Sequence, residues 1–196
     1  MECSVTTVHL EMTDPAQFRP AKSGGIGFDL VRVEIPCPEL NRFLYTAVGA
    51  DWWWYSRLPW DYAQWLEYLD RPDLETWVAY VAGTPAGYFE LERQPGDQVE
   101  IAYFGVLPQF IGKGMGGALL SAAVSRAWRM GVARVWVHTC SLDHPQARRN
   151  YEARGFKAFR TEEQVEILPD YPLEPWPGAL PGAAGRFPRA QEEGGS

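Results

Sequence analysis

Residues 104–120 read Phe-Gly-Val-Leu-Pro-Gln-Phe-Ile-Gly-Lys-Gly-Met-Gly-Gly-Ala-Leu-Leu. The run leading into this stretch, Val99 to Leu107, has the character of a strand. Beyond it Met115, Leu119, Ala122, Ala123, Ala127 and Met130 recur at helical spacing, and Gly131 stands where a helix C-terminal glycine is expected. Between strand and helix lie Gly112, Lys113, Gly114, Met115, Gly116 and Gly117. Glycines let an anion approach the backbone N–H groups, and the first turn of a helix offers unpaired donors and the positive end of its dipole. The stretch therefore predicts a cradle for a phosphorylated ligand at the end of a strand.

Gly112, Gly114 and Gly117 satisfy the glycine pattern of a dinucleotide fingerprint, which also needs an acidic residue about 20 positions on to hold a ribose hydroxyl. No Asp or Glu occurs from Ile101 to Leu142, and four residues, Pro108 to Ile111, lengthen the turn. A nucleoside-triphosphate loop fits less well still, because Gly114 follows Lys113 where a Ser or Thr metal ligand is required.

At these residues the chain resembles the GCN5-related N-acetyltransferase (GNAT) superfamily, whose signature is a strand, a Pro and an Arg/Gln-x-x-Gly-x-Gly/Ala loop opening a helix. Arg134 to Cys140 reads as the following strand. Ala147-Arg-Arg-Asn-Tyr151 with Gly155-Phe156 is similar to the second family segment. Two positions depart from the pattern: Ile111 occupies the Arg/Gln slot, and His144 stands where an Asn is frequent. The resemblance implies an α/β fold with a mixed, mostly antiparallel central sheet flanked by helices, its two central strands splayed. It implies acetyl-CoA as co-substrate, with the pantetheine arm beside Gly105 and Val106. The pyrophosphate would lie on Ile111, Gly112, Lys113, Gly114, Met115, Gly116 and Gly117, with His144 near the cofactor.

Acyl transfer from a thioester to an amine needs a neutral nucleophile, a stabilised oxyanion and a proton for the departing thiolate. Glu100 begins the strand that leads to the glycines, and relatives that acetylate protein lysine carry a base at this offset, so Glu100 is the expected base, directly or through water. Glu90 and Glu92 are alternatives. Tyr151 matches the family tyrosine that protonates the CoA sulfur, and a phenol with an ordinary pKa of about 10 is protonated at neutral pH. Cys140 is a conceivable acyl acceptor, but strand cysteines of this kind are commonly buried and inert. Asp51-Trp-Trp-Trp-Tyr55, with Trp60, Asp61, Tyr62, Trp65 and Tyr68, interleaves rings with carboxylates, a composition suited to a cationic amine. The expected reaction is direct acetyl transfer to a primary amine in a ternary complex. The alternative is a non-catalytic CoA-binding or regulatory module on the same fold.

The chain has 196 residues and a formal net charge of -7. Residues 101–156 carry seven basic and two acidic side chains, a net +5 that leaves -12 on the remainder. A basic half suits an anionic cofactor and an acidic half a cationic acceptor, whereas general nucleic-acid binding demands an overall basic footprint. Cys3, Cys37 and Cys140 suggest neither a disulfide framework nor a metal site, and His9, His138 and His144 lack metal-ligand spacing. Without a signal core or an apolar run of about 18 residues, the expectation is a cytoplasmic protein that binds no metal, membrane or nucleic acid. The partner is a small-molecule or protein amine, and a homodimer is among the expectations because relatives often dimerise.

Three regions are expected: an N-terminal strand and turn extension over 1–25, an acetyltransferase domain over 26–168, and a Pro/Gly-rich tail over 169–196. Within them Val5–Met12, Leu30–Ile35, Thr76–Ala82, Pro85–Glu92 and Lys157–Ile167 read as strands. Pro38–Val48 and Asp61–Leu69 read as helices, and Gly83-Thr84 as a hairpin turn.

Overall fold

The computed structural model describes residues 1–22 and 25–170. Along the chain come β1 (Glu2–Met12), β2 (Asp29–Val33), α1 (Pro38–Gly49), α2 (Tyr62–Leu69), β3 (Leu74–Val81), β4 (Thr84–Gln94), β5 (Gln98–Val106), α3 (Met115–Arg129), β6 (Arg134–Cys140), α4 (Ala147–Ala153) and β7 (Lys157–Ile167). The strands form one sheet in the order β2-β3-β4-β5-β6-β1-β7. All neighbours are antiparallel except β5 and β6, which run parallel.

Local chemistry places the elements. Pro38 opens α1, where its missing N–H costs nothing. Asp61 and Gln64 form a reciprocal capping box on α2: the Asp61 carboxylate accepts from the Gln64 N–H at 2.9 Å, and Gln64 Oε1 accepts from the Asp61 N–H at 2.9 Å. Asp61→Ala is therefore expected to cost about 1 kcal/mol of stability in urea denaturation. The turn between β3 and β4 is centred on Ala82 and Gly83, not on Gly83 and Thr84, because both residues have positive φ (48° and 78°), as a two-residue hairpin with matching twist requires.

The N-terminal strand belongs to the sheet. β1 lies inside the sheet between β6 and β7, burying Val8, Leu10 and Met12 on one face while His9 and Glu11 alternate to the other. Its partners lie more than 120 residues away, so no local signal reports them. Of the tail, residues 171–196 lie outside the described residues.

The two faces of the sheet are covered differently. α3 packs across β4, β5 and β6, burying Leu119, Leu120, Ala123 and Val124 completely against Phe89, Leu91, Val99 and Val135. A buried Leu of this kind contributes about 1.5–3 kcal/mol. α1 and α2 cover the other face over β3, β4 and β5, and His9, Trp136, His138 and Phe159 form a ring cluster on the part of that face contributed by β1, β6 and β7.

The feature that positions the site is where the pairing of β5 and β6 stops. Only Gln98–Glu100 pairs with Arg134–Trp136. Beyond Glu100 the strands diverge, and Ala102 bulges out of the ladder with β4, since Glu90 pairs with Tyr103 and Leu91 with Ile101. The central sheet is splayed, with free backbone along the inner edge of β5.

Candidate active site

The split opens into a cleft of about 850 Å³ that runs between the inner edges of β5 and β6 to the start of α3. Ala102 to Val106 line one wall, Val137, His138 and Cys140 the other, and Gly112, Gly114, Gly116 and Gly117 the far end.

That far end exposes the start of α3. Gly114 is the N-cap of α3 with φ 76°, ψ 1°, a left-handed conformation that suits glycine, and no side chain caps the helix. Its first N–H groups thus have no intrahelical acceptor and border the cleft. Arg149 adds a positive charge to the same wall, and Asn150 Nδ2 donates to the Gly116 carbonyl at 3.3 Å, tying α4 to the start of α3. These groups fit a pyrophosphate, and the unpaired β5 edge fits an amide-bearing arm. Gly105 has a second role: a Cβ there would sit 2.2 Å from Val48 Cγ1, so its absence lets α1 lie close on β5.

Of the sequence-expected cofactor residues, Gly105, Val106, Ile111, Gly112, Gly114, Gly116, Gly117 and His144 line the cleft. Lys113 is not on its wall; its ammonium lies 5.3 Å from the Phe110 ring. The Met115 side chain is core, so only its backbone is available to a ligand. His144 is occupied by its own loop, since its Nδ1 accepts from the Gln146 N–H at 3.0 Å and its ring meets Trp52 edge-on at 4.9 Å.

The aromatic segment roofs the opposite end. Trp52, Trp53, Trp54 and Tyr55 line the cleft, with Trp52 reaching His144 and the Tyr55 hydroxyl donating to Glu166 Oε2 at 2.7 Å. That bond pushes the Tyr55 phenol up to about 12. Glu166 and Asp143 contribute carboxylates to this end. Asp61, Trp60, Trp65 and Tyr68 do not reach the cleft wall; the first caps α2 and the rings pack beneath the roof.

Tyr151 lies on the cleft wall, largely buried against Phe104 and Phe156, and burial pushes its phenol well above the ordinary range. Glu90 is fully buried and committed to Arg57, Tyr68 and Asn41. Glu92 is paired with Arg71 at 2.8 Å. The Cys140 thiol is pushed up to about 11 by burial and by Asp143, which leaves on the order of one part in 10⁴ as thiolate at neutral pH. Glu100 does not line the cleft. Its carboxylate accepts from Gln94 Nε2 at 2.7 Å and bonds His138 Nδ1 at 2.9 Å, and His138 is the member of the pair on the wall. Among the polar cleft residues that sequence reading did not single out for a role are His138, Asp143, Arg149, Asn150 and Glu166.

The model of the acetyltransferase (GNAT) family matches residues 39–156, more than half of the chain. The chain belongs to the GNAT acetyltransferase family. Solved GNAT structures share its fold. The GCN5-related N-acetyltransferase from Sphaerobacter thermophilus superposes with a TM-score of 0.57 at 19% identity, over 82% of this chain and 50% of that one. The ribosomal-protein-S18-alanine N-acetyltransferase from Escherichia coli gives 0.53 at 17% identity, over 67% and 78%. An aminoglycoside acetyltransferase from an uncultured soil metagenomic sample gives 0.54 at 14% identity, over 65% and 87%. Several longer GNAT-fold and other structures are spanned to 50–63% of their length. No curated protein matches the chain. Among the described residues no helix is long and apolar enough to cross a membrane.

Proposed function

We propose that this GNAT chain is an acetyl-CoA-dependent N-acetyltransferase that passes an acetyl group directly to a primary amine in a ternary complex. The observation that carries the reading is the continuity of one cleft from the uncapped start of α3, along the free edge of β5, to the point where β5 and β6 part. Backbone donors hold the pyrophosphate of the donor at one end, and the acceptor enters at the other, under the Trp52–Tyr55 roof. Aromatic faces beside Asp143 and Glu166 favour a cationic amine. Relatives of this fold act on an aminoglycoside and on a ribosomal protein's alanine, so both small-molecule and protein amines belong in the acceptor panel.

In this reading Tyr151 donates to the departing sulfur. Burial makes its phenolate costly, so the phenol stays protonated throughout the neutral range and hydrogen-bonds the sulfur as negative charge grows there. The basic function comes from the Glu100 branch of the site. Calorimetric titration with acetyl-CoA is expected to show binding that Arg149→Glu weakens about tenfold or more, because the reversed charge lines the pyrophosphate end. An amine panel assayed for free thiol then separates the enzyme from a non-catalytic CoA-binding module: binding without product on any amine rejects catalysis, and no binding rejects the reading altogether.

A further inference from the structure

Two residues past the last β5–β6 pair, His138 stands on the wall of the split with its side chain 47% exposed, while Glu100 behind it is 10% exposed. Both Glu100 oxygens are engaged, one by Gln94 Nε2 and one by His138 Nδ1, and Gln94 is held in turn by Trp136 Nε1 at 3.1 Å. An acceptor in the cleft reaches the imidazole, not the carboxylate. An ionised carboxylate only accepts hydrogen bonds, so Nδ1 carries the proton. Nε2 is left as the basic atom, and it has no protein partner among the described residues.

Resting on the acetyltransferase reading, we propose that His138 is the group that takes the amine proton, and that Glu100 is a positioning residue acting through it. The amine nitrogen attacks the thioester carbonyl, forming one C–N bond. His138 Nε2 takes the surplus amine proton, and collapse of the oxyanion breaks the C–S bond. The sulfur gains its proton with Tyr151 as donor, Tyr151 recovers one from water, and His138 releases its own to water.

The charged surroundings agree with this role. Glu100 faces His138 from β5 and Asp143 from the loop after β6. His9 faces it from β1 at 5.9 Å between rings, and is itself held by Glu162 of β7 at 3.0 Å. The Glu100 hydrogen bond raises the imidazole above its usual value; burial opposes that and Asp143 adds to it. An imidazole whose protonated form is stabilised by a carboxylate suits the removal of a proton from the amine.

The test uses the full chain. Ring NMR titration of the three histidines needs no acceptor: the His138 signal, assigned by its loss in His138→Gln, is expected to titrate above the unperturbed histidine value and to fall in Glu100→Gln. An equal midpoint in both proteins overturns the pairing. With acetyl-CoA and the amine panel, His138→Gln is expected to lower kcat about 100-fold or more while the KM for acetyl-CoA holds. Wild-type turnover in that variant overturns the proposal. In Glu100→Gln the acidic limb of kcat/KM is expected to persist but move to lower pH, with a lower plateau. If the limb vanishes in Glu100→Gln and survives in His138→Gln, Glu100 is itself the base and this inference fails. Failure of the wild-type chain to bind acetyl-CoA removes the transferase reading as well, whereas binding and turnover with an indifferent His138→Gln reject this inference alone.

Discussion

Replacing Arg57 by Ala is expected to lower unfolding stability by about 3–5 kcal/mol, the range for removing one partner of a buried ion pair. Arg57 and Glu90 are 7% and 1% exposed, and their contact is 3.1 Å. Burial pulls the guanidinium pKa down, but the Glu90 charge outweighs it and holds the group firmly protonated. The cation lies against the rings of Tyr68 at 3.7 Å and Tyr103 at 4.1 Å, while Glu90 also accepts from Tyr68 at 2.8 Å and Asn41 at 3.1 Å. Truncating Arg57 leaves a buried carboxylate without its paired cation, held by the Tyr68 hydroxyl and the Asn41 amide. This cluster joins the cleft roof to α1, α2 and β4, so the loss is expected in urea denaturation and also as a raised acceptor KM. A double variant, Arg57→Leu with Glu90→Leu, should recover part of the stability, since no buried charge remains. Recovery stays incomplete because the Tyr68 hydroxyl loses its acceptor. A cost under 1 kcal/mol for Arg57→Ala would show that the pair does not hold this cluster together.

Gly114→Glu is expected to abolish acetyl-CoA binding, with at least a 100-fold loss of affinity by calorimetry and little loss of fold. A side chain at φ 76° costs about 1–2 kcal/mol. A carboxylate at the start of α3 returns about 0.3–1 kcal/mol by complementing the helix dipole. The unliganded protein therefore loses only about 1 kcal/mol. The complex loses far more, because the new carboxylate occupies the anion position and repels a pyrophosphate. Retained affinity in a folded Gly114→Glu variant would place the cofactor elsewhere.

Much of the fold was legible locally. The strand before the glycines, the helix after them with Gly131 at its end, and β6 and β7 over Arg134–Cys140 and Lys157–Ile167 are read from period, propensity and turn chemistry. Those signals act over a few residues, and the glycine-lined end of the cleft is built from one such stretch. The aromatic-lined part is not. Asp61 has the composition of a cation ligand yet serves as a cap, because a carboxylate three residues ahead of Gln64 satisfies orphan helix N–H groups. Glu90 reads as a strand-face carboxylate and proves to be the centre of a closed ionic cluster, since its partners come from α1, α2 and the loop between them.

The amino-acid sequence by itself determined the glycine-rich start of α3, the family and the identity of most strands and helices, because glycine conformation, helix caps and side-chain period are short-range properties. Only the tertiary structure decided that β1 is an interior strand, that the sheet parts after Glu100, and that His138 stands between Glu100 and the cleft. These depend on pairings between strands distant in sequence. The β5–β6 contact, three residue pairs long, places a carboxylate from one strand behind an imidazole from another 38 residues away.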